Sequence, residues 1–237
     1  MLPVADDQTL RHAPVAGRTI ILICCLVYAW QSLAGPWGVL AAEALGFSPA
    51  DFFAGGTQDP MRAWTPFAAT IITYAFLHGG WLHLGGNMLF LWIFGDDVED
   101  AFGQPGFIVF YLLAAMAAAL AQALPAPGST GVIVGASGAV SGVLGAYLVL
   151  HPRARINVLV PIFIVVDMVS LPAFVVLLFW FAVQLAYEFL APGLAGNVAL
   201  RAHIGGFIAG MVMAPLFAFV ARHSRRRLSV AAPTLLR

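Results

Sequence analysis

Charge is what this sequence has least of. Asp, Glu, Lys and Arg make up 9% of the 237 residues and the formal net charge is zero, whereas charged residues form about 25% of an average soluble domain. Lysine is absent, so all eleven basic residues are arginines. Such a neutral chain is not expected to bind nucleic acid, which requires a basic surface. With 61% hydrophobic residues, it is expected to lie in a lipid bilayer.

Cysteine is almost as scarce. Cys24 and Cys25 are adjacent in an apolar run, so they predict neither a disulfide framework nor a metal site. We expect no metal and no cofactor. No internal repeat is visible, and such repeats are typical of transporters. A small transporter or channel is nevertheless an alternative interpretation of so apolar a chain.

Long apolar runs are abundant, and they predict an all-α polytopic membrane protein, a compact bundle of six transmembrane helices of roughly 20 residues each. The first run could alternatively be a cleaved signal peptide, although the arginine pattern fits better if it stays. The six predicted spans are Thr19–Ala34, a second from about Trp81 to Asp96, Phe107–Leu124, about Val132–Leu150, Pro172–Leu190 and Ala202–Val220.

The domain organisation follows from these runs. Residues 1–18 are predicted to form a polar cytoplasmic tail, residues 19–221 the six-helix domain, and residues 222–237 a basic cytoplasmic tail. Residues 35–64 make a long first loop whose aromatic side chains are expected to pack at the membrane surface. Residues 156–171 are apolar but are interrupted by proline and aspartate, which indicates an interfacial or re-entrant segment.

The arginines test the number of spans. With the amino terminus inside the cell and six crossings, nine of the eleven arginines fall on the cytoplasmic side, and only Arg62 and Arg201 fall outside. This distribution satisfies the positive-inside rule. Counting Phe67–Leu77 as a further span would move Arg153 and Arg155 outside and weaken the bias.

Four polar side chains lie within these apolar spans, where such groups are costly and usually functional. Ser137 is near the outer start of the fourth predicted span, His83 and Asn87 are in the first two turns of the second, and His203 begins the sixth. All four are therefore expected in the outer part of the membrane. His83 and Asn87 are spaced i and i+4, so they share one helix face.

Small residues border two of these positions. Stripes of small residues allow the backbones of membrane helices to approach closely. We therefore expect the fourth and sixth helices to touch, which would bring the Ser137 hydroxyl to the His203 ring. The glycines expected to pack near the site are Gly138 and Gly142 on the fourth helix and Gly206 and Gly210 on the sixth.

A serine beside a histidine is the minimal unit for nucleophilic catalysis, because the hydroxyl is a poor nucleophile until a base takes its proton. Asn87, His83 and the backbone N–H of Ser137 could donate hydrogen bonds to the oxyanion that forms. The acidic residues lie at the wrong depth or, like Glu188 at the end of a span, suit an interfacial anchor. The sequence therefore predicts a dyad of Ser137 and His203.

In these motifs the sequence resembles the rhomboid intramembrane serine proteases. The resemblance covers most of the chain, from Ile20 to Val220. It is carried by His83-x-x-x-Asn87, Gly135-x-Ser137-Gly138 and Ala202-His203-x-x-Gly206, together with the stretches His78-Gly79-Gly80-Trp81 and Phe94-Gly95-Asp96-Asp97-Val98-Glu99-Asp100.

The resemblance implies specific roles. Ser137 would be the nucleophile, His203 the general base, and His83 and Asn87 part of the oxyanion site. The first loop would lie partly in the membrane, and the fifth helix with its outer loop would gate lateral access of the substrate. Some rhomboids carry a stacking tyrosine where this chain has Ser141, so His203 must be oriented in another way, for which a hydrogen bond is one possibility.

The implied partners are single-pass transmembrane proteins as substrates and the lipid bilayer itself; the oligomeric state is not indicated. A bacterial inner membrane with both termini cytoplasmic is the expected location, because no organellar transit peptide is recognisable. A catalytically inactive rhomboid-like protein that binds membrane proteins is the second interpretation. Such relatives typically lack the serine or the histidine, and this chain has both Ser137 and His203.

Overall fold

The computed structural model describes residues 2–57, 59–60, 62–162, 165–190 and 198–231. Within these residues the chain forms nine α-helices and a three-stranded antiparallel sheet. The helices are α1 (Val15–Leu33), α2 (Pro36–Leu45), α3 (Pro49–Ala54), α4 (Phe67–Thr73), α5 (Trp81–Phe102), α6 (Gln104–Ala123), α7 (Ser137–Leu150), α8 (Ala173–Leu190) and α9 (Leu200–Ala231). The strands are β1 (Leu2–Asp6), β2 (Arg155–Ile162) and β3 (Val165–Pro172).

Four of the described helices are long and apolar enough to cross a membrane: α1, α6, α8 and the segment Leu200–Arg225 of α9. Two further predicted spans also form helices, but each departs from a simple span. Helix α5 carries acidic residues in its last two turns, and α7 has 14 residues, about 21 Å at 1.5 Å per residue. The chain is thus mostly helical, and the count of six crossings stays a prediction.

Helix α7 lies at the centre of the bundle. Every residue from Gly138 to Leu148 is buried, and α5, α6, α8 and α9 all pack against this helix. Because its neighbours shield α7 from the surroundings, it does not need the length of a lipid-facing helix. The faces of α7 that carry small residues pack against α6 and α9. On the α6 side, a Cβ atom added to Gly142 would lie 2.5 Å from Cβ of Ala114.

The contact between α7 and α9 is made by backbone against backbone. A Cβ atom added to Gly206 would overlap the carbonyl oxygen of Gly138, and one added to Gly210 would overlap that of Gly142. From the other side, a Cβ atom at Gly145 would overlap the carbonyl oxygen of Phe207 in α9. The small residues therefore set the distance between the two helices.

The expectation of an all-helical chain was wrong for the segment after α7. Residues 155–162 and 165–172 instead form the paired antiparallel strands β2 and β3, and β1 from the predicted polar tail pairs with β2. The physical reason is composition, since the segment is rich in valine and isoleucine, which favour extended structure. The backbone N–H of Arg155 also donates to Asp7 at 2.9 Å, which lowers the pKa of that exposed carboxyl. An interfacial or re-entrant position of the segment after α7 stays a prediction.

The long first loop contains two short helices. Helix α3 begins after Ser48, whose hydroxyl accepts from the backbone N–H of Asp51 at 3.4 Å, and its last residue, Ala54, is followed by Gly55 with φ of 75°. Asp51 also forms an ion pair with Arg62. Phe47 forms an isolated β-bridge with Ile133, which joins this region to the segment before α7. Partial insertion of the loop into the membrane stays a prediction.

The ends of the predicted spans also differ in places. Helix α7 begins at Ser137 and not near Val132, because Ile133 is held in its bridge with Phe47 and the residues on either side of it are not helical. Helix α9 continues to Ala231, past the predicted boundary at residue 221. The outer loop at residues 191–197 and the end of the tail at residues 232–237 lie outside the described residues.

At one end of the bundle, two carboxylates of α5 form hydrogen bonds with other segments of the chain. Glu99 accepts from the backbone N–H groups of Ala16 at 2.9 Å and Gly17 at 2.7 Å, which satisfies two orphan donors at the start of α1. Asp100 accepts from Arg11 at 2.8 Å through its side chain, and its backbone carbonyl accepts from Arg225 at 2.6 Å. The amino-terminal segment, the end of α5 and the last part of α9 therefore lie at the same end.

The α7–α9 contact leads to a prediction about stability. In Gly206→Val the new side chain overlaps the Gly138 carbonyl, so we expect a loss of about 1–3 kcal/mol, as overpacking usually costs. The matched control is Gly85→Val on α5, where an added Cβ atom meets no atom within 4 Å. Thermal unfolding of the purified proteins measures both. Equal unfolding temperatures for the two variants would contradict the proposed role of the contact.

Candidate functional site

Ser137 is positioned by the turn that precedes it. It is the first residue of α7, and Gly135, two residues earlier, has φ of 129°, a conformation that favours glycine. The Gly135 N–H donates to the carbonyl of Tyr74 at 2.9 Å. The turn is thus held by a hydrogen bond to Tyr74 before it and by the start of α7 after it. The Ser137 side chain lies at the amino-terminal end of the helix, where backbone N–H groups lack intrahelical acceptors.

His203 lies in the first turn of α9, directly opposite Ser137. Its Nε2 atom is 2.8 Å from Oγ of Ser137. The approach is possible because the glycine contact between Gly206 and Gly138 lies one turn further along α9. The structure therefore brings these two predicted residues within hydrogen-bonding distance across the α7–α9 interface.

Gln184 is a site residue that sequence reasoning missed. It lies on α8, and its Oε1 atom is 3.0 Å from Nδ1 of His203. The signal was available, since a glutamine within an apolar helix of 18 residues is a polar group that needs a partner. What the sequence could not show was which of several polar residues that partner is.

The two other predicted site residues lie on α5. The ring of His83 packs against the turn before Ser137, so that a Cβ atom added to Gly135 would lie 2.6 Å from Cε1 of His83. Asn87 is buried, and its Nδ2 donor has no hydrogen-bond partner in the described part of the chain. An unsatisfied buried donor costs about 1–3 kcal/mol, which makes Asn87 an exception that requires an explanation.

One cavity of about 750 Å³ is lined by the four predicted site residues and by Gln184. It is lined by His83 and Asn87 from α5, Ser137 from α7, Gln184 from α8 and His203 from α9. A concave, mostly apolar space with a few converging polar groups is typical of a ligand or substrate site. In addition to these five residues, its lining includes Tyr74, Leu82, Phe90, Val132, Leu144 and Trp180.

Glu188 and Ser141, two further polar residues near the site, have other partners. Glu188 forms an ion pair with Arg201 at 2.6 Å, and so connects α8 to the start of α9 rather than completing a triad. The Ser141 hydroxyl donates to the Ser137 carbonyl at 2.6 Å, within α7 itself. Among the residues that the structure describes, no group of three or more His, Cys, Asp or Glu is arranged to hold a metal ion.

Comparison with known proteins places these motifs in a family. The family model of the Rhomboid domain matches residues 64–219, which include all the site residues above. Among similar proteins, Rhomboid protein 1, mitochondrial, of Saccharomyces cerevisiae is 33% identical over 147 residues, which cover 60% of this chain and 40% of that protein.

Two bacterial proteins are also similar. Rhomboid protease GluP of Bacillus subtilis is 33% identical over 147 residues, covering 61% of this chain and 25% of the relative. Rhomboid protease GlpG of Klebsiella pneumoniae is 30% identical over 115 residues, covering 48% and 37% respectively. The similarity thus spans well under half the length of each relative.

The turn before Ser137 provides a prediction. In Gly135→Ala the new methyl group would meet the His83 ring and would force an alanine to adopt φ of 129°, so we expect a loss of about 1–3 kcal/mol. Thermal unfolding measures the change. Gly131→Ala is the control, since its added Cβ atom lies in ordinary contact, 3.7 Å from the Ser129 hydroxyl. If both variants unfold at the same temperature, the turn does not require glycine.

Proposed function

Since the chain belongs to the rhomboid family, we propose that it is an intramembrane serine endopeptidase that uses Ser137 as nucleophile and His203 as general base. The observation that carries the proposal is the 2.8 Å contact between Oγ of Ser137 and Nε2 of His203, located in a cavity beside the unsatisfied Asn87 amide. Its membrane-spanning helices make the protein an integral membrane protein.

The chemistry follows from the pair. Oγ of Ser137 attacks the scissile carbonyl carbon while its proton passes to Nε2 of His203. Collapse of the tetrahedral intermediate breaks the C–N bond, and the imidazolium returns the proton to the leaving amine. A water molecule then gives a proton to the same nitrogen while its oxygen attacks the acyl ester. The ester C–O bond breaks, the acid is released, and the imidazolium returns the proton to Oγ of Ser137.

The oxyanion of the intermediate needs hydrogen-bond donors. The proposed donors are the Asn87 amide, the His83 ring and the backbone N–H of Ser137. Asn87 is suited to this role because its buried Nδ2 group has no hydrogen-bond partner among the described residues. The positive end of the α7 dipole adds to the stabilisation, since Ser137 is the first residue of that helix.

The proposed substrates are single-pass transmembrane proteins that are cleaved near the outer membrane face. This orientation is supported by the charged end of the bundle, where Arg11 and Arg225 both contact Asp100, since positive residues favour the cytoplasmic side. Arg201 lies beside the catalytic pair at the opposite end and is paired with Glu188. Both termini would then be cytoplasmic, and a bacterial inner membrane is the proposed location.

The catalytic pair leads to the most direct prediction. Ser137→Ala and His203→Ala should each reduce cleavage of a single-pass test substrate by at least ~10³-fold while the protein stays folded. Labelling of Ser137 by a fluorophosphonate should disappear in Ser137→Ala. The matched control is Ser129→Ala, which removes an exposed hydroxyl and should leave labelling unchanged.

The outcome also separates the two rhomboid interpretations. A folded wild-type protein that is neither labelled nor able to cleave would favour an inactive, rhomboid-like binding protein. Labelling that persists in Ser137→Ala would remove Ser137 from the mechanism.

The oxyanion assignment is tested by Asn87→Ala. We expect kcat to fall by about 10²-fold and KM to change little, because the hydrogen bond is made mainly in the transition state. Steady-state cleavage of the same substrate gives both constants, and thermal unfolding shows whether the variant is folded. If the double variant Asn87→Ala, His83→Ala turned over at the wild-type rate, neither side chain would belong to the oxyanion site.

A further inference from the structure

The hydrogen bond between α8 and His203 is unexplained by a two-residue mechanism. Gln184 lies in a helix that is long and apolar enough to span a membrane, where an unpaired amide is costly. Its Oε1 atom is 3.0 Å from Nδ1 of His203, while Nε2 of the same ring is 2.8 Å from Ser137. The ring is therefore held at both nitrogens, by side chains from two different helices.

The partner at Nδ1 decides which nitrogen carries the proton. A neutral imidazole has one N–H donor and one acceptor nitrogen. The carbonyl oxygen of an amide can only accept, so a hydrogen bond between Nδ1 and Oε1 of Gln184 places the ring proton on Nδ1. Nε2 is then left with its lone pair directed at the Ser137 hydroxyl, which is the form that a general base requires.

Among the described residues, the other groups near the ring do not provide this interaction. The Ser141 hydroxyl donates to the Ser137 carbonyl, and Glu188 is paired with Arg201. The ring of Trp180 has its centroid 6.2 Å from that of His203, at an interplanar angle of 34°, so it contributes packing and no hydrogen bond. Gln184 is therefore the described side chain that faces Nδ1.

We propose that Gln184 is a positioning residue, whose amide oxygen accepts the Nδ1 proton of His203 and keeps Nε2 free to take the proton of Ser137. The inference rests on the proposed endopeptidase function. It converts the dyad into a Ser–His–Gln arrangement, in which a neutral amide does the orienting, as an asparagine does in Cys–His–Asn proteases.

Two substitutions at one position test the proposal. Gln184→Met keeps the length of the side chain and removes the acceptor, whereas Gln184→Glu keeps an acceptor and removes the amide donor. The measurements are the rate constant for fluorophosphonate labelling and the kcat and KM for a single-pass substrate, with the full chain across a range of pH. Labelling by a small reagent reports on Ser137 without requiring a transmembrane substrate to enter.

We expect Gln184→Met to lower the labelling rate constant and kcat on the order of 10²-fold, as misplacement of a catalytic group does, with KM unchanged. Gln184→Glu should recover most of that loss. Its carboxylate also stabilises the imidazolium, so the acidic limb of the pH–rate profile should move to higher pH. A Gln184→Met variant that is labelled at the wild-type rate overturns the proposal, and so does a Gln184→Glu variant as slow as Gln184→Met.

The matched control is Glu188→Gln, one turn along α8, which breaks the ion pair with Arg201 and leaves Gln184 in place. It should be labelled at the wild-type rate. If it reproduces the Gln184→Met loss, the effect comes from the attachment of α8 and the proposal is wrong. If Gln184→Met does not fold, the test rests on Gln184→Glu. An acidic limb of its pH–rate profile at the wild-type position then overturns the proposal. Failure of the proposed function is distinct, because wild type itself would then not be labelled.

Discussion

The contact of α7 with α9 is the constraint on which the rest of this structure depends. Two helices meet backbone to backbone because Gly206 and Gly210 have no side chains to separate them from the carbonyls of Gly138 and Gly142. That approach places the first residue of α7 opposite the first turn of α9. The 2.8 Å distance between Ser137 and His203 is thus a product of helix packing in the bundle core, where interiors are dense and poorly compressible.

Some polar groups inside the bundle are satisfied by a partner on another element. Gln184 of α8 bonds to His203 of α9, and the Tyr74 hydroxyl donates to the Ala115 carbonyl of α6 at 2.7 Å. Such bonds are required where water is scarce. Against this background the Asn87 amide is conspicuous, because it lines the same cavity as Ser137 and has no partner in the described chain. Unsatisfied groups of this kind are expected where a site is prepared for a ligand.

The two ends of the bundle have different physical characters. At one end Glu99 binds the start of α1, Asp100 holds Arg11 and Arg225, and the small sheet leads from α7 directly into α8. These charge-assisted hydrogen bonds are among the stronger ones that proteins form. The other end contains the cavity and is joined across α8 and α9 by Gln184–His203 and Arg201–Glu188. The charged end therefore serves to hold the helices in place, while the cavity end contains the groups capable of chemistry.

The sequence by itself determined the family, the mostly helical character and the polar residues of the apolar spans, because hydropathy and the spacing of polar and small residues are local properties of the chain. Tertiary structure decided the rest. Nothing local shows that Ile133 is held out of the helix and that α7 starts only at Ser137, because this depends on the bridge to Phe47. The pairing of Leu2 with Leu159 joins strands far apart in the chain. Likewise, Gln184 meets His203 only because α8 is rotated to present that face to α9, and the rotation of a helix is set by all the surfaces it packs against.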